Sequence, residues 1–414
     1  MSEIINRNLA RVILGALFVC LTIAMEHPKS QLVQFTKIGE STETANDQQI
    51  INTLVHLIAN EQEKIEGALY DLTQPIILKA LNDAITRGIT VAIYVDRKNY
   101  TKNKLNQYTF IHPVDGPSIL GSYAGLMHEK FLVFYKNPSK KNPARQIVCY
   151  GSWNPTDHKK YPTCDEFIFD INPKIIESFK REIRHLAEVP VCGAASAPAA
   201  ALAADEAADT LAATAISYPR ILFSPAQREL MPSILCTLIE SPELQNCKSA
   251  MTWLSNIAVA QAIYNTAQTK ETCLIVDQDS FAKSNIAWRI PHSFVYAGTE
   301  RMMHHKFFIF TFKDKPALLW SGSWNCSHGA TNYDCVVIRE EQLIREFSQR
   351  FAELLRSSLR SVNKSAFGKY PALIRYFEKN KRFFDRKKTE LANACSDVET
   401  TELAPCIKEF LATA

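Results

Sequence analysis

The apolar residues of this chain recur with two different periods, which alternate along the sequence. Between residues 47 and 61 they lie three and four positions apart, which predicts an amphipathic helix. Residues 64–70 predict a strand, and a second helix is predicted from 74 to about 87. The β-branched run at 89–95 predicts a buried parallel strand. Because strand, helix and strand follow one another, the expected fold class is α/β.

The same order of elements is predicted in each half of the chain. The first half continues with predicted strands at 127–134, 146–150 and 166–171 and a helix at 173–189. The second half is predicted to contain helices at 225–240, 257–269 and 341–355, strands at 250–254, 273–276 and 335–338, and two further strands that carry His304 and Trp320. A repeat of this length is too long for a solenoid and predicts two similar domains.

The predicted domains are residues 45–190 and 218–356, joined by an alanine-rich segment at 191–217. We expect this segment to be a poorly ordered linker, with a helical spacer as the alternative. Residues 357–414 predict a basic helical extension. Its basic side chains are expected to form a solvated face, and the alternative is contact with a membrane surface or an anionic polymer.

The first 25 residues have the pattern of a secretory signal peptide. Arg7 and Arg11 precede an apolar run, residues 12–25, that is shorter than the roughly 20 apolar residues of a membrane-spanning helix. The segment 1–25 therefore predicts export, to the periplasm or the exterior. An uncleaved membrane anchor is the alternative.

The composition is that of a soluble globular protein, with 46% hydrophobic and 22% charged residues among 414. The formal net charge of +4 is compatible with an anionic substrate but is too small to indicate nucleic acid by itself. The 11 cysteines become an even number if Cys20 is removed with the signal, which fits export. Two pairs are close enough in sequence for local disulfides: Cys236 with Cys247, and Cys395 with Cys406.

One short motif occurs in both halves. The first copy consists of His128-Glu129-Lys130, then Gly151-Ser152-Trp153-Asn154, then Asp165. The second copy consists of His304-His305-Lys306, then Gly322-Ser323-Trp324-Asn325, then Asp334. A lone His-x-Lys would carry little information, but two copies with the same order of parts predict a functional site.

The residue types of this motif suit the binding and transfer of an oxyanion. On a strand, the histidine and lysine of each copy would project from one face. Lysine can hold a phosphate as a point charge, serine and asparagine can donate hydrogen bonds, and histidine can act as nucleophile or proton carrier. One histidine could attack while the other protonates the leaving oxygen, and Asp165 and Asp334 would each fix an imidazole tautomer. This scheme requires no metal and no other cofactor.

The doubled motif resembles the phospholipase D superfamily, over nearly all of residues 50–355. The resemblance implies two α/β domains about a pseudo-twofold axis, one shared active site and a phosphohistidine intermediate. By motif order, His128 resembles the nucleophile and His304 the general acid. The resemblance assigns the phosphate contacts to the other polar residues of the motif: Lys130, Lys306, Ser152, Asn154, Ser323 and Asn325.

The chain departs from the superfamily pattern in two respects. Tyr135 and Thr311 stand where the longer pattern has an aspartate, five residues after each lysine. The downstream acidic residue is matched by Asp165 and Asp334, although Glu166 competes in the first copy. Both histidine–lysine pairs are nevertheless intact, so we expect an active enzyme.

The sequence therefore predicts a monomeric phosphodiesterase that acts on the headgroup ester of a phospholipid. A phospholipid is preferred because membranes are the abundant phosphodiester outside the cytosol. One alternative is an endonuclease of the same superfamily that cleaves DNA or RNA, since residues 68–96 are also similar to its compact nuclease branch. The other alternative is an inactive module that binds phosphate or lipid. Asp96 and Asp277, which follow predicted strands, are expected to be structural.

Overall fold

The computed structural model describes residues 31–36, 38, 47–116, 125–139, 141–156, 163–188, 218–224, 230–277, 290, 293–296, 302–327 and 331–361. The predicted signal or anchor at 1–25 and the predicted linker at 191–217 lie outside these ranges, as do residues 362–414 and with them Cys395 and Cys406. Within the described ranges, no helix is both long enough and apolar enough to span a bilayer.

The first half builds a seven-stranded sheet with the strand order β1-β9-β7-β6-β2-β3-β4. Its elements are β1 Gln31–Phe35, α1 Gln48–Asn60, β2 Lys64–Leu69, α2 Pro75–Thr86, β3 Thr90–Asp96, α3 Arg97–Lys102, β4 Ile111–Val114, β5 Leu126–Met127, β6 Lys130–Phe134, β7 Ile147–Gly151, β8 Thr163–Cys164, β9 Glu166–Asp170 and α4 Pro173–Glu188. Strands β2, β3 and β4 are parallel, and β6, β7 and β9 continue the sheet in antiparallel pairs.

The second half repeats this topology in a sheet with the order β10-β18-β16-β15-β11-β12-β13. Its elements are β10 Arg220–Phe223, α5 Leu230–Ile239, β11 Leu244–Met251, α6 Ile257–Thr266, β12 Glu271–Asp277, β13 Ser293–Tyr296, β14 Met302–Met303, β15 Lys306–Phe312, β16 Lys315–Gly322, β17 Thr331–Asn332, β18 Asp334–Ile338 and α7 Glu341–Ser361. The predicted fold class, two similar α/β units, is confirmed.

One apolar core joins the two halves. Helices α4 and α7 lie between the sheets. The ring of Phe179 is tilted against that of Phe131 at 4.7 Å between centroids, and the rings of Phe347 and Phe307 meet edge to face at 5.0 Å. Helices α1 and α2 cover the outer face of the first sheet, and α5 and α6 cover the outer face of the second. Because the central core draws on both sheets, burying it fixes how the halves face each other.

Two short parallel pairs cross from one half to the other. Strand β14 pairs with β8, which places Met303 opposite Cys164. Strand β17 pairs with β5, which places Asn332 opposite Met127. Each pair lies directly before a motif histidine, so each histidine lies next to the chain of the other half.

The predicted strand at 127–134 is interrupted at its histidine. The backbone oxygen of Glu129 accepts from Tyr70 N–H at 2.9 Å, and Met127 N–H donates to the Asp96 carboxylate at 3.1 Å. The Tyr70–Glu129 bond extends the pairing of β2 with β6 by one residue, and His128 lies in the connection between β5 and β6 and not within a strand. Asp277 holds Met303 N–H in the same way at 2.9 Å, which gives both aspartates the structural role expected.

The strand predicted at 250–254 was misplaced, because β11 spans Leu244–Met251. Polar residues such as Asn246 and Lys248 occupy the first half of β11, so the apolar pattern marked only its end. Leu254, which extended that pattern, is a buried loop residue. The local disulfide that the spacing of Cys236 and Cys247 allows is not formed. Both thiols are free, and Cys247 is buried within β11.

Gly67 permits the close packing of β2 on β6. A Cβ at this position would lie 2.2 Å from the Phe131 carbonyl oxygen and 2.7 Å from Leu132 Cδ2. We expect Gly67→Ala to lower the free energy of unfolding by about 1–3 kcal/mol, because backbone must move to admit the methyl group. At Gly88, with φ +85° and open space around it, Gly88→Asn should cost less than about 1 kcal/mol. Denaturant unfolding of both variants tests this, and equal losses would contradict the packing argument.

Candidate active site

The two motif copies converge between the sheets. Lys130 and Lys306 are fully buried, and His128 is only 8% exposed. His128 belongs to the first half, yet its ring lies 5.3 Å from the ring of Tyr333 in the second half. His304 and Lys306 are close enough to lower the pKa of His128. The structure therefore brings both histidines and both lysines into one site.

His304 is held by a carboxylate from the opposite half. Its Nδ1 lies 2.6 Å from Asp165 Oδ1, and a carboxylate can only accept, so Nδ1 carries the proton and Nε2 keeps its lone pair. Burial and then the Lys306 ammonium lower the pKa of His304 to about 4. Burial alone would raise the pKa of Asp165, but the His304 contact and Lys306 hold it well below its usual range. At neutral pH the pair is a neutral imidazole and a carboxylate.

His128 has the opposite tautomer. Its Nδ1 lies 3.1 Å from Lys130 Nζ; when Lys130 is an ammonium, which can only donate, the imidazole proton is on Nε2. The rings of Tyr70 and Tyr333 lie on two sides of it, at 4.7 and 5.3 Å between centroids. Burial, followed by the charges of Lys130 and Lys306, lowers the pKa of His128 well below its usual value.

The two lysines concentrate positive charge in a buried space. Lys130 Nζ donates to the His128 carbonyl at 2.6 Å. Lys306 Nζ donates to the His304 carbonyl at 2.7 Å and to Thr252 Oγ1 at 3.2 Å. Burial lowers the pKa of Lys306 to about 8, and burial followed by the charge of Lys306 lowers the pKa of Lys130 well below its usual range. An anion entering the site would relieve this repulsion, so the arrangement suits a phosphate.

The Gly-Ser-Trp-Asn segments lie beside the histidines, and within each segment only the asparagine is partly exposed. Asn154 and Asn325 are half-buried at the ends of β7 and β16. Ser152 and Ser323, predicted to contact phosphate, are fully buried. Their hydroxyls are 2.8 Å from Asp165 and 2.6 Å from Asp334 respectively, so they orient carboxylates. Both motif tryptophans are core residues.

Asp165 and Asp334 are not equivalent positions. Ser152 N–H donates to the Glu166 carbonyl at 3.1 Å, and Ser323 N–H donates to the Asp334 carbonyl at 2.9 Å. The counterpart of Asp334 is therefore Glu166, and Asp165 corresponds to Tyr333. Within the described residues, the Asp334 carboxylate accepts from Ser323, and no hydrogen bond joins it to His128. The expectation that Asp334 fixes an imidazole tautomer is not met.

The middle residue of each His-x-Lys leads to a second, buried layer. His305 Nδ1 contacts the Glu166 carboxylate, and Arg350 Nε donates to His305 Nε2 at 3.0 Å. Both nitrogens of His305 are thus engaged, which agrees with its assignment as the non-catalytic imidazole. In the first half the matching layer holds Glu129 and Glu182, whose pKa values burial raises, that of Glu182 to about 8.

Residues outside the motif position Asp165, and they were not among the predicted site residues. Thr36, which follows β1, accepts from Asp165 N–H at 2.8 Å and donates to the Thr163 carbonyl at 2.9 Å. The Thr163 hydroxyl donates to the Asp165 carboxylate. No local pattern marks a threonine for this role. Arg350 was detectable in principle, because it places a charge on the apolar face of a predicted amphipathic helix.

Comparison with known proteins gives the fold. No family model matches the sequence, and no curated protein matches it significantly. Polyphosphate kinase from Porphyromonas gingivalis is similar in structure, with a TM-score of 0.54 at 15% identity over 81% of this chain, which spans 53% of that protein's length. Phosphatidylserine synthase from Haemophilus influenzae Rd KW20 has a TM-score of 0.52 at 13% identity, over 86% of this chain and 94% of its own.

The chain shares the fold of these two proteins, which is the fold that the resemblance to the phospholipase D superfamily implied. The resemblance inferred from the doubled motif is therefore confirmed at the level of the fold. At 13–15% identity the comparisons carry no activity over to this chain.

Proposed function

We propose that the chain is a phosphodiesterase of the phospholipase D type, which hydrolyses the headgroup ester of a phospholipid through a phosphohistidine. The observation that carries the proposal is the His304–Asp165 hydrogen bond of 2.6 Å across the two halves. It leaves an unprotonated imidazole nitrogen beside two ammonium groups. A nucleophile next to a buried cationic site is the arrangement required for attack on a phosphodiester anion.

Substrate binding would use the charges already in the site. Lys130 and Lys306 would contact the non-bridging phosphate oxygens, and the amides of Asn154 and Asn325 would donate to them from each half. The phosphate charge would also raise the depressed pKa values of both lysines, so binding keeps them protonated. Because two ammonium groups supply the electrostatic stabilisation, the proposed reaction uses no metal and no other cofactor.

In the first step His304 Nε2 attacks phosphorus and the bond from phosphorus to the headgroup oxygen breaks. His128 gives its Nε2 proton to the departing oxygen, while Lys130 replaces that proton at Nδ1 across 3.1 Å. In the second step water attacks phosphorus, the phosphorus–nitrogen bond breaks and His128 Nε2 accepts the water proton, as Nδ1 returns a proton to Lys130. This assignment is the reverse of the one implied by motif order.

The choice of a phospholipid over a nucleic acid rests on the predicted export and on aliphatic side chains exposed near the site, among them Ile257. One observation favours the nuclease alternative. Lys98 and Lys102 of α3 are exposed at the same edge of the first sheet as the site, where they could contact a polyanion. The two hypotheses make different predictions for the same assay.

We expect the full-length chain to release choline from phosphatidylcholine vesicles in the presence of EDTA. His304→Asn should lower the rate at least about a thousandfold, because it removes the nucleophile. His56→Asn, at an exposed histidine of α1, is the matched control and should leave the rate unchanged. Cleavage of a single-stranded oligonucleotide without choline release would support the nuclease. If neither substrate is cleaved but phosphate still binds, the result would support the inactive module. Loss of activity with EDTA would contradict the two-histidine mechanism.

The pH dependence of kcat/KM for a soluble phosphodiester should have two limbs. His304 must be unprotonated to attack, so the rate should rise as the pH increases through about 4. Lys306 must be an ammonium, so the rate should fall as the pH increases through about 8. Lys306→Arg keeps its charge at all these pH values, so the basic limb should become less steep and report the loss of the proton from Lys130 alone. An acid limb near 6.5, or a basic limb unchanged in Lys306→Arg, would contradict the assignment.

A further inference from the structure

Large apolar side chains are exposed at few of the described positions, and most of these lie at one edge of the molecule. They are Ile76 at 48%, Ile85 at 36%, Ile257 at 68% and Met302 at 37%. Ile85 is near the far end of α2. The other three lie where the strands end next to the active site, and Met302 is two residues before His304. This clustering distinguishes them from apolar residues scattered singly over a surface.

Ile76 is tied to the asparagine segment of the first half. Thr73 and Gln74 donate their N–H groups to the Pro155 carbonyl, each at 2.9 Å, and Pro155 directly follows Asn154. Gln74 is the N-cap of α2, so Ile76 lies in the first helical turn. The exposed side chain therefore adjoins the segment proposed to hold phosphate.

Ile257 occupies the matching place in the second half. Ser255 and Asn256 donate their N–H groups to the Cys326 carbonyl at 3.2 and 2.7 Å, and Cys326 directly follows Asn325. Asn256 is the N-cap of α6, and Ile257 is its first residue. An exposed isoleucine thus adjoins each half-site, although the residues around them differ in sequence.

Positive charge lies at the same edge. Helix α3 begins where β3 ends, and its N-cap Asp96 also accepts from Met127 N–H, one residue before His128. From this short helix and the residue pair that follows it, three exposed lysines project into solvent: Lys98, Lys102 and Lys104. The edge is therefore both apolar and basic.

We propose that this edge of the molecule is a docking surface for an anionic phospholipid bilayer. We call the docking surface the rim, and it consists of Ile76, Ile257, Lys98, Lys102 and Lys104. The inference rests on the proposed function, since a lipid phosphodiester must be reached at a membrane surface. Charge complementarity selects the partner, because lysines within a Debye length of an anionic bilayer are attracted to it. The aliphatic residues would enter the interface between headgroups and acyl chains.

A single-stranded nucleic acid fits this surface less well. Proteins that bind single strands combine basic residues with aromatic side chains on which bases stack. The large apolar side chains exposed at the rim are isoleucines, which offer no such stacking. The combination of lysine with exposed aliphatic residues is typical of interfacial membrane binding.

The test measures binding to sucrose-loaded vesicles of phosphatidylcholine with phosphatidylglycerol, by sedimentation of the full-length chain. We expect Ile76→Ser/Ile257→Ser to reduce the partition coefficient at least tenfold. Ile85→Ser, on the same helix but at its other end, should stay within twofold of the unmodified chain. Lys98→Gln/Lys102→Gln/Lys104→Gln should reduce partition at low salt and remove most of its salt dependence.

Hydrolysis of bis(p-nitrophenyl) phosphate, a soluble diester that needs no membrane, should be unchanged in all three variants and so reports on folding. Unchanged vesicle partition in the isoleucine variant would overturn the rim without affecting the proposed chemistry. Tighter binding of a single-stranded oligonucleotide than of vesicles, lost in the lysine variant, would also overturn it in favour of a nucleic-acid surface. A chain that binds vesicles through the rim but hydrolyses no phospholipid would overturn the proposed function alone.

Discussion

The site depends on the pairing of short strands across the two halves. The pairing of Met303 with Cys164 brings His304 next to Asp165, and their hydrogen bond of 2.6 Å fixes the imidazole tautomer. Neither half contains this pair by itself. The central core, which draws on both sheets, holds the halves in the orientation that this strand pairing requires. The chemistry proposed here is therefore a property of the interface between two similar units, and anything that shifts one sheet against the other should disturb it.

The fold is duplicated, but the chemistry of the two half-sites is not. His304 is hydrogen-bonded to Asp165, whereas the ring of His128 contacts the ring of Tyr333. Nδ1 of His128 faces Lys130 instead of a carboxylate. The buried residues behind the two histidines differ as well. They are His305 and Arg350 in the second half, and Glu129 and Glu182 in the first. A reaction with one attacking and one protonating imidazole needs this difference, because a nucleophile and a proton donor require opposite tautomers.

Much of this could be predicted from the sequence, because the signals were local. Apolar periodicity located most helices and central strands, and the doubled motif identified both histidine–lysine pairs. The strand pairing across the halves could not be predicted. The strands β5, β8, β14 and β17 are two residues long, which is too short for an apolar period. Spacing in the sequence aligned Asp165 with Asp334. The backbone hydrogen bonds of Ser152 and Ser323 instead align Glu166 with Asp334. Thr36 follows β1, which lies before the predicted first domain at 45–190, and no sequence pattern links it to the site.

The division of roles between the two histidines can be measured directly by trapping the intermediate. In His128→Asn, bis(p-nitrophenyl) phosphate should still phosphorylate the nucleophile, because p-nitrophenolate leaves without a proton, while hydrolysis of the adduct should be slow. Denaturation at alkaline pH followed by peptide mass spectrometry then locates the phosphoryl group. We expect an adduct on His304 in this variant and none in His304→Asn. An adduct on His128 in the His304→Asn variant, with none in His128→Asn, would contradict it.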